Sequence, residues 1–443
     1  MSSLYGFTAV VTRLIERGAD VNIKNKQGAT PLSAALSRHH HDIVQLLIEA
    51  GAGVDGVGDT SIHAAVQSNN MRLVRKMVTR DNVNTPGPDH QTPLHFSMSG
   101  SADLVQYLLE LGADTNSRVD STLATPLHMA ALRGRVDLVP LLLDHGAKLD
   151  PRAGDSLYGA TPLYLAAQNG HIKVVKGLVD AGADVNSRLR KMDVTPLFIS
   201  SERGHGRVVR LLLGSGASVN IRNWNGVTAL GVAALSARDD VVKMLLEAGA
   251  EVNSRDNDGN SVLSNIILQP DISREHVKVV EILVEAGADP NIRNKEDNFP
   301  LMMLAQRDND AEDEKIIGKL ASLLIDSGAQ TELVRLNKIS GVRDTVLGEA
   351  VRSENLELIK ILLEANTDVN VPINEKTDNL TPLGYALKIK NQKLMKLLLE
   401  KNVEKCFIAS DTNDLSDCVD LAVSSRNSEI INLITNKRFK DEL

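Results

Sequence analysis

His39-His40-His41 is the densest run of ligand-type side chains in this 443-residue chain. Residues one apart on a helix or turn point to different sides, so the run reads as a solvated turn and not as a metal site. The acidic run Asp308-Asn309-Asp310-Ala311-Glu312-Asp313-Glu314 invites a calcium reading but fails its loop template. Its sixth position is Asp313, where glycine is required, and its twelfth is Lys319, where glutamate is required. Carboxylates there serve the N-terminus of a helix over Lys315 to Asp326. Cys406 and Cys418 have no second ligand pair at metal spacing, and both are expected to be unpaired thiols in a reduced compartment. There is no P-loop, dinucleotide fingerprint, G-x-S-x-G elbow or paired His-Glu-x-x-His. No enzyme, cofactor or metal is expected.

The remaining chemistry is that of binding. Trp224, the only tryptophan, falls in Asn223-Trp224-Asn225-Gly226, a hairpin tip. Arg188, Arg190 and Lys191 cluster on the preceding connection, and Tyr158 ends another. Exposed Trp, Tyr and Arg are the mix enriched at protein-binding hot spots, so these five are the candidate partner-binding residues. The formal charge of −8 argues against a dedicated nucleic-acid binder. No apolar run reaches the length that spans a membrane.

These residues must be positioned by short helices. In Gly159 to Asn186, Thr161 stands at an N-cap, Pro162 at the first helical position, and Leu163, Ala166 and Ala167 form an apolar stripe. Gly170 ends that helix. Ile172, Val174, Val175, Leu178 and Val179 form a second stripe, and Gly182 stops it where a left-handed cap is favoured. Neither helix is long enough to be stable alone, so the unit must stack on copies of itself.

The copies are present. Thr30-Pro31-Leu32, Thr92-Pro93-Leu94-His95, Thr125-Pro126-Leu127-His128, Thr195-Pro196-Leu197 and Thr381-Pro382-Leu383 open units that Gly51, Gly112, Gly146 and Gly216 close. Cap positions from Gly18 through Asp81 to Asn402 cover 384 residues in 11 steps, about 35 per step, against roughly 33 for the family this pattern resembles. That family is the ankyrin repeat. The resemblance implies an all-α solenoid of stacked helix-turn-helix units with hairpin-like finger loops, about 12 repeats plus an N-terminal half-repeat. The expected divisions are a partial repeat over 1–24, regular repeats over 25–258, divergent repeats with loop insertions over 259–404, and a capping repeat and tail over 405–443.

The resemblance further implies that His63, His95 and His128 bond neighbouring-repeat backbone. Ser33, Tyr164, Phe198, Gly231, Gly348 and Gly384 replace them elsewhere, which a catalytic array would not tolerate. It also implies that the fingers Arg118 to Leu123, Pro151 to Tyr158 and Arg188 to Met192 project beside the first helices without packing between repeats. The expected function is a monomeric, non-enzymatic interaction scaffold or adaptor holding a protein partner on its finger and first-helix surface. The alternative is a targeting arm of a larger polypeptide, such as an enzyme, channel, ubiquitin-ligase adaptor, toxin or effector, whose functional domain lies upstream of Met1. The lack of a covering helix over Val10, Val11, Leu14 and Ile15 motivates that alternative. Cytoplasmic localisation is expected. Lys440-Asp441-Glu442-Leu443 matches the retrieval signal of the endoplasmic reticulum and makes its lumen the alternative.

Overall fold

The computed structural model describes all residues except 27, 39, 54–59, 308–312, 337–342, 372, 374–379, 402–405, 407–417, 420–421, 424–427 and 442–443. The chain divides into two compact units, Met1–Ser218 and Val219–Leu443, and each is described by itself.

The first unit opens with α1 (Thr8–Glu16). Six helix pairs follow: α2 (Pro31–Ser37) with α3 (His41–Glu49), α4 (Thr60–Gln67) with α5 (Met71–Met77), α6 (Pro93–Ser97) with α7 (Ala102–Glu110), α8 (Pro126–Leu132) with α9 (Leu138–Asp144), α10 (Pro162–Gln168) with α11 (Ile172–Asp180), and α12 (Pro196–Glu202) with α13 (Gly206–Gly214). The pair α10/α11 shows why such short helices hold. Thr161 Oγ1 accepts from Tyr164 N at 3.3 Å and Pro162 occupies the first turn. Ala166 and Ala167 are fully buried, so the neighbouring first helix approaches closely. Val174, Val175 and Leu178 fill the layer behind, each side chain contributing on the order of 2 kcal/mol by burial. Gly182, at φ 94°, closes α11 through the bonds Gly182 N to Val179 O and Ala183 N to Leu178 O.

The second unit holds α14 (Ala229–Leu235) with α15 (Asp239–Glu247), α16 (Val262–Ile267) with α17 (Arg274–Glu285), α18 (Pro300–Ala305) with α19 (Asp313–Asp326), α20 (Val346–Arg352) with α21 (Leu356–Glu364), and α22 (Pro382–Lys388) with α23 (Gln392–Leu399). A last helix, α24, spans Ser428–Asp441. Within the divergent repeats, β1 (Val334–Leu336) pairs with β2 (Arg343–Thr345) antiparallel, Val334 opposite Thr345. Among the described residues, no helix is long and apolar enough to cross a membrane.

Four local expectations are corrected. Cys406 and Cys418 are disulfide-bonded and both fully buried. They lie 12 residues apart in sequence, and Cys406 is tied to the last helix pair, where Thr381 N donates to Cys406 O at 2.9 Å. His40 is not a solvated turn residue: its Nε2 donates to Leu4 O at 3.1 Å, and a Cβ on Gly6 would come within 2.8 Å of its ring. His39 lies outside the described residues. Asp81 does not cap α5. Asn82 does, its Nδ2 donating to Met77 O at 2.9 Å. The fingers, finally, are bonded to one another, as set out below. The turn Met1 to Gly6 carries Phe7 N to Ser2 O at 3.1 Å, the counterpart of His171 N to Ala166 O at 3.0 Å. Beside it, α1 leaves Val10 and Leu14 about half exposed, and Leu14 lines a groove of about 460 Å³.

Candidate functional site

Two polar ladders run from repeat to repeat and decide where a partner can sit. The first is made of asparagines at the ends of the second helices. In the first unit, Asn116 Oδ1 accepts from Lys148 N at 2.8 Å while its Nδ2 donates to Gly146 O at 2.9 Å. Asn84 and Asn186 do the same one repeat away on either side of it and of its neighbour. In the second unit Asn220, Asn253 and Asn291 repeat the arrangement. At two described positions the asparagine is replaced by an acid: Glu332 of the second unit accepts from Asp368 N at 2.9 Å, and Asp150 stands in the first. Asp150 accepts from Asp184 N at 3.1 Å, but a carboxylate cannot donate to the Gly182 carbonyl as an amide would. Burial, with the nearby Asp184 charge, raises the Asp150 carboxyl above its ordinary value.

The second ladder ties the fingers edge to edge. Backbone bonds run from Asp120 N to Asp89 O, Gly154 N to Thr122 O and Arg190 N to Tyr158 O at 3.1, 2.7 and 2.7 Å. Arginines two residues beyond the asparagine position reinforce them. Arg118 Nη1 donates to Leu123 O within its own finger and to Arg152 O of the next, at 3.3 and 2.9 Å. Arg152 Nη1 donates likewise to Gly159 O and to Arg188 O, at 3.4 and 2.7 Å. Within the second unit Arg255 reaches Arg293 O, and Arg293 reaches Val334 O at 3.0 Å. Arg118, Arg152 and Arg255 each have two carbonyl acceptors, whereas Arg293 has one carbonyl acceptor and the Asp297 carboxylate at 2.8 Å.

The five candidate residues fall on these fingers, divided between the units. Tyr158, Arg188, Arg190 and Lys191 belong to the first and are exposed. The structure brings Arg190 and Tyr158 together: besides the backbone bond, Arg190 packs over Gly159 and its Nη1 lies 3.7 Å from Asp155. Trp224 belongs to the second unit. It is 59% exposed, and its carbonyl accepts from Asn257 Nδ2 at 2.9 Å.

Histidines at the helix openings are built into the scaffold. Thr125 N donates to His128 Nδ1 at 3.0 Å, and His128 Nε2 donates to Ala160 O of the next repeat at 3.0 Å. Burial of this ring pushes its pKa down to about 4, and burial lowers that of His95 as well. His63 Nε2 bonds Thr85 O at 2.9 Å. Sequence reasoning missed a second set, at the turn between the two helices or in the first turn of the second. There His171 Nε2 donates to Leu132 O, His205 Nε2 to Gln168 O and His276 Nε2 to Leu235 O, at 3.0, 3.1 and 3.2 Å. Arg135 and Arg307 fill the same role with Met98 O and Ile267 O. Also unforeseen is the buried cluster in which Arg335 and Arg352 bridge Asp344 and Glu349. No group of His, Cys, Asp and Glu able to hold a metal ion occurs among the described residues.

Comparison with known proteins agrees with this architecture. The family profile described as "Ankyrin repeats (3 copies)" matches residues 1–85, 53–119, 118–189, 188–256, 272–373 and 347–441. An ankyrin repeat protein of fowlpox virus (strain NVSL) is 31% identical over 153 residues, covering 32% of this chain and 45% of its own length. A rice (Oryza sativa subsp. japonica) protein named a probable E3 ubiquitin-protein ligase is 35% identical over 151 residues, 32% of this chain and 29% of its own. Mouse Rabankyrin-5 is 31% identical over 158 residues, 34% and 14%. The chain thus spans less than half the length of these relatives. A solved ankyrin repeat domain from Acinetobacter baumannii AYE matches with a TM-score of 0.42 at 29% identity, covering 46% of this chain and 98% of that domain. With repeat matches from residue 1 to residue 441, the chain belongs to the ankyrin repeat family.

Proposed function

We propose that the chain is a non-enzymatic scaffold or adaptor that holds a protein partner on its finger and first-helix surface. The observation that carries this reading is the finger ladder. Arginine and backbone bonds hold successive fingers in fixed register, so that exposed side chains such as Tyr158 stand on a pre-organised surface. Pre-organisation lowers the ordering cost of binding. Cytoplasmic action as a monomer is part of the proposal. It is tested by capturing partners with the full chain and mapping zero-length cross-links by mass spectrometry. Cross-links concentrated on fingers and first helices support the reading, and cross-links confined to second helices sink it. Co-localisation of the tagged chain with a lumenal marker would overturn the cytoplasmic assignment.

A second reading is favoured by the lengths of the relatives, of which the chain spans 45% or less. In it the array is the targeting arm of a larger polypeptide. A transcript with an in-frame stop codon immediately upstream of Met1 would reject it.

A further inference from the structure

We propose that the finger row of the first unit is a docking stripe for an acidic, extended protein segment, whose apolar side chains seat on Leu123 and Tyr158. The proposal rests on the scaffold reading and adds the chemistry of the partner.

The first observation is a backbone outlier. Two residues before each helix-capping threonine or its equivalent, the finger needs a left-handed conformation. Gly28, Gly159, Gly226 and Gly259 meet it with φ between 71° and 82°. His90, Asp193 and Asp297 meet it with φ of 53°, 52° and 65°, and short polar side chains tolerate that region. Leu123 sits at the same position with φ 49°. A bulky leucine is disfavoured there, and the fold does not repay it: the side chain is 42% exposed, resting on the backbone of Gly154 at the adjacent finger. A residue held in a disfavoured conformation without an internal return points to a use outside the fold. Tyr158, at φ 50° on that adjacent finger, is a second bulky left-handed residue and is 49% exposed. Its ring offers the large, rigid contact area that dominates interface hot spots.

The second observation is charge. Across Arg118–Leu123, Pro151–Tyr158 and Arg188–Asp193 there are five cations (Arg118, Arg152, Arg188, Arg190 and Lys191) against three carboxylates (Asp120, Asp155 and Asp193). Two of the carboxylates are engaged locally, Asp120 by His90 and Asp155 by Arg190. Arg118 and Arg152 donate to carbonyls, Arg152 beside the Asp150 carboxylate, while Asp89 of the preceding finger accepts from Ser121; Arg188 and Lys191 have no carboxylate partner among the described residues, so the stripe keeps a cationic excess. A locally cationic stripe on a chain of net charge −8 selects for an anionic partner. Successive layers lie about 10 Å apart, which an extended strand covers in about three residues at about 3.3 Å each. The partner segment therefore carries acidic residues and two apolar ones about three positions apart.

The test uses the full chain and a fluorescein-labelled, glutamate-rich peptide with two phenylalanines at that spacing, read by anisotropy. Matched peptides carry lysine for glutamate or alanine for phenylalanine. The glutamate peptide should bind, more weakly as salt rises, and both matched peptides should bind at least about tenfold less tightly. Leu123→Gly should weaken the glutamate peptide by at least about tenfold while unfolding at an equal or higher urea midpoint, because the backbone preference is restored. Tyr158→Ser and the pair Arg188→Glu with Lys191→Glu should weaken it too, at unchanged midpoint. Absence of binding, equal binding of the lysine peptide, indifference to Leu123→Gly and Tyr158→Ser, or binding only to phosphatidylserine vesicles would each overturn the proposal. If cross-links still fall on the fingers in that event, the scaffold reading survives and only the partner chemistry fails.

Discussion

Acidification should weaken the first unit through His128, by an amount the structure bounds. In the folded chain Nδ1 accepts from Thr125 N, and Nε2 carries the proton given to Ala160 O. A proton on Nδ1 would set two donors facing each other inside a buried layer, and burial itself disfavours the charge. The folded pKa of about 4 lies below the ordinary 6.5, so between those values the unfolded chain binds more protons than the folded one. Stability is therefore complete above pH 6.5 and is lost as pH falls from 6.5 towards about 4. At about 1.36 kcal/mol per pH unit the loss reaches about 2.5 kcal/mol near pH 4.5 and cannot exceed about 3.4 kcal/mol, the whole shift of about 2.5 units. The control is His128→Ser, since Ser33 performs the same capping in the first regular repeat, where Thr30 N donates to Ser33 Oγ at 2.9 Å. Native-state hydrogen exchange of the α8 peptide, corrected for intrinsic rates, should lose at least about 2 kcal/mol more between neutral and acidic pH in the wild type than in the variant. Parallel losses in the two proteins would refute the assignment to this ring.

Other consequences are as direct. Asp150→Asn should complete the asparagine ladder, adding a bond to the Gly182 carbonyl and removing repulsion with Asp184, and should raise stability by about 1 kcal/mol in urea unfolding. Gly170→Ala should cost about 1–2 kcal/mol, because the residue sits at φ 71° and its new Cβ would lie 2.8 Å from the His205 ring; an unchanged midpoint would contradict the close approach. Reduction, or Cys406→Ser with Cys418→Ser, should loosen the contact of Cys406 with the start of α22 and speed proteolysis beyond Leu399 without changing exchange in α8 to α13. Trp224→Ala should weaken capture of a cross-linked partner by more than about 2 kcal/mol at unchanged thermal unfolding if that side chain is an anchor.

The helix pairs and their stops were readable because their rules are local. Thr161, Pro162 and Gly182 act on residues within four positions of themselves. What could not be read lies one repeat away. His40, His171 and His205 look like turn residues until the carbonyl at the end of the previous first helix is in place. The finger arginines did leave a trace. Asn116-Ser117-Arg118, Asn186-Ser187-Arg188, Asn220-Ile221-Arg222, Asn253-Ser254-Arg255 and Asn291-Ile292-Arg293 recur at one phase, with Asp150-Pro151-Arg152 as the variant. A cation kept in register with a ladder residue signals a shared backbone acceptor. For Cys406 and Cys418 no sequence signal separates a pair from two thiols, since the closure depends on the path between them. Leu123 was hidden for the opposite reason: its residue type is ordinary, and only its φ makes it conspicuous.

The asparagine ladder also bears on how such a chain can change length over generations. Each rung joins residues about one repeat apart in sequence, as Asn116 does with Lys148, and each repeat supplies both a donor set and an acceptor set. Duplicating or excising a whole unit therefore hands every rung an equivalent partner, whereas a frame-preserving insertion of a few residues inside one unit strands the rungs on either side. Growth by whole modules is the path of least disruption. Asp150 and Glu332, rungs already missing one bond, mark joints where an added module would forfeit least.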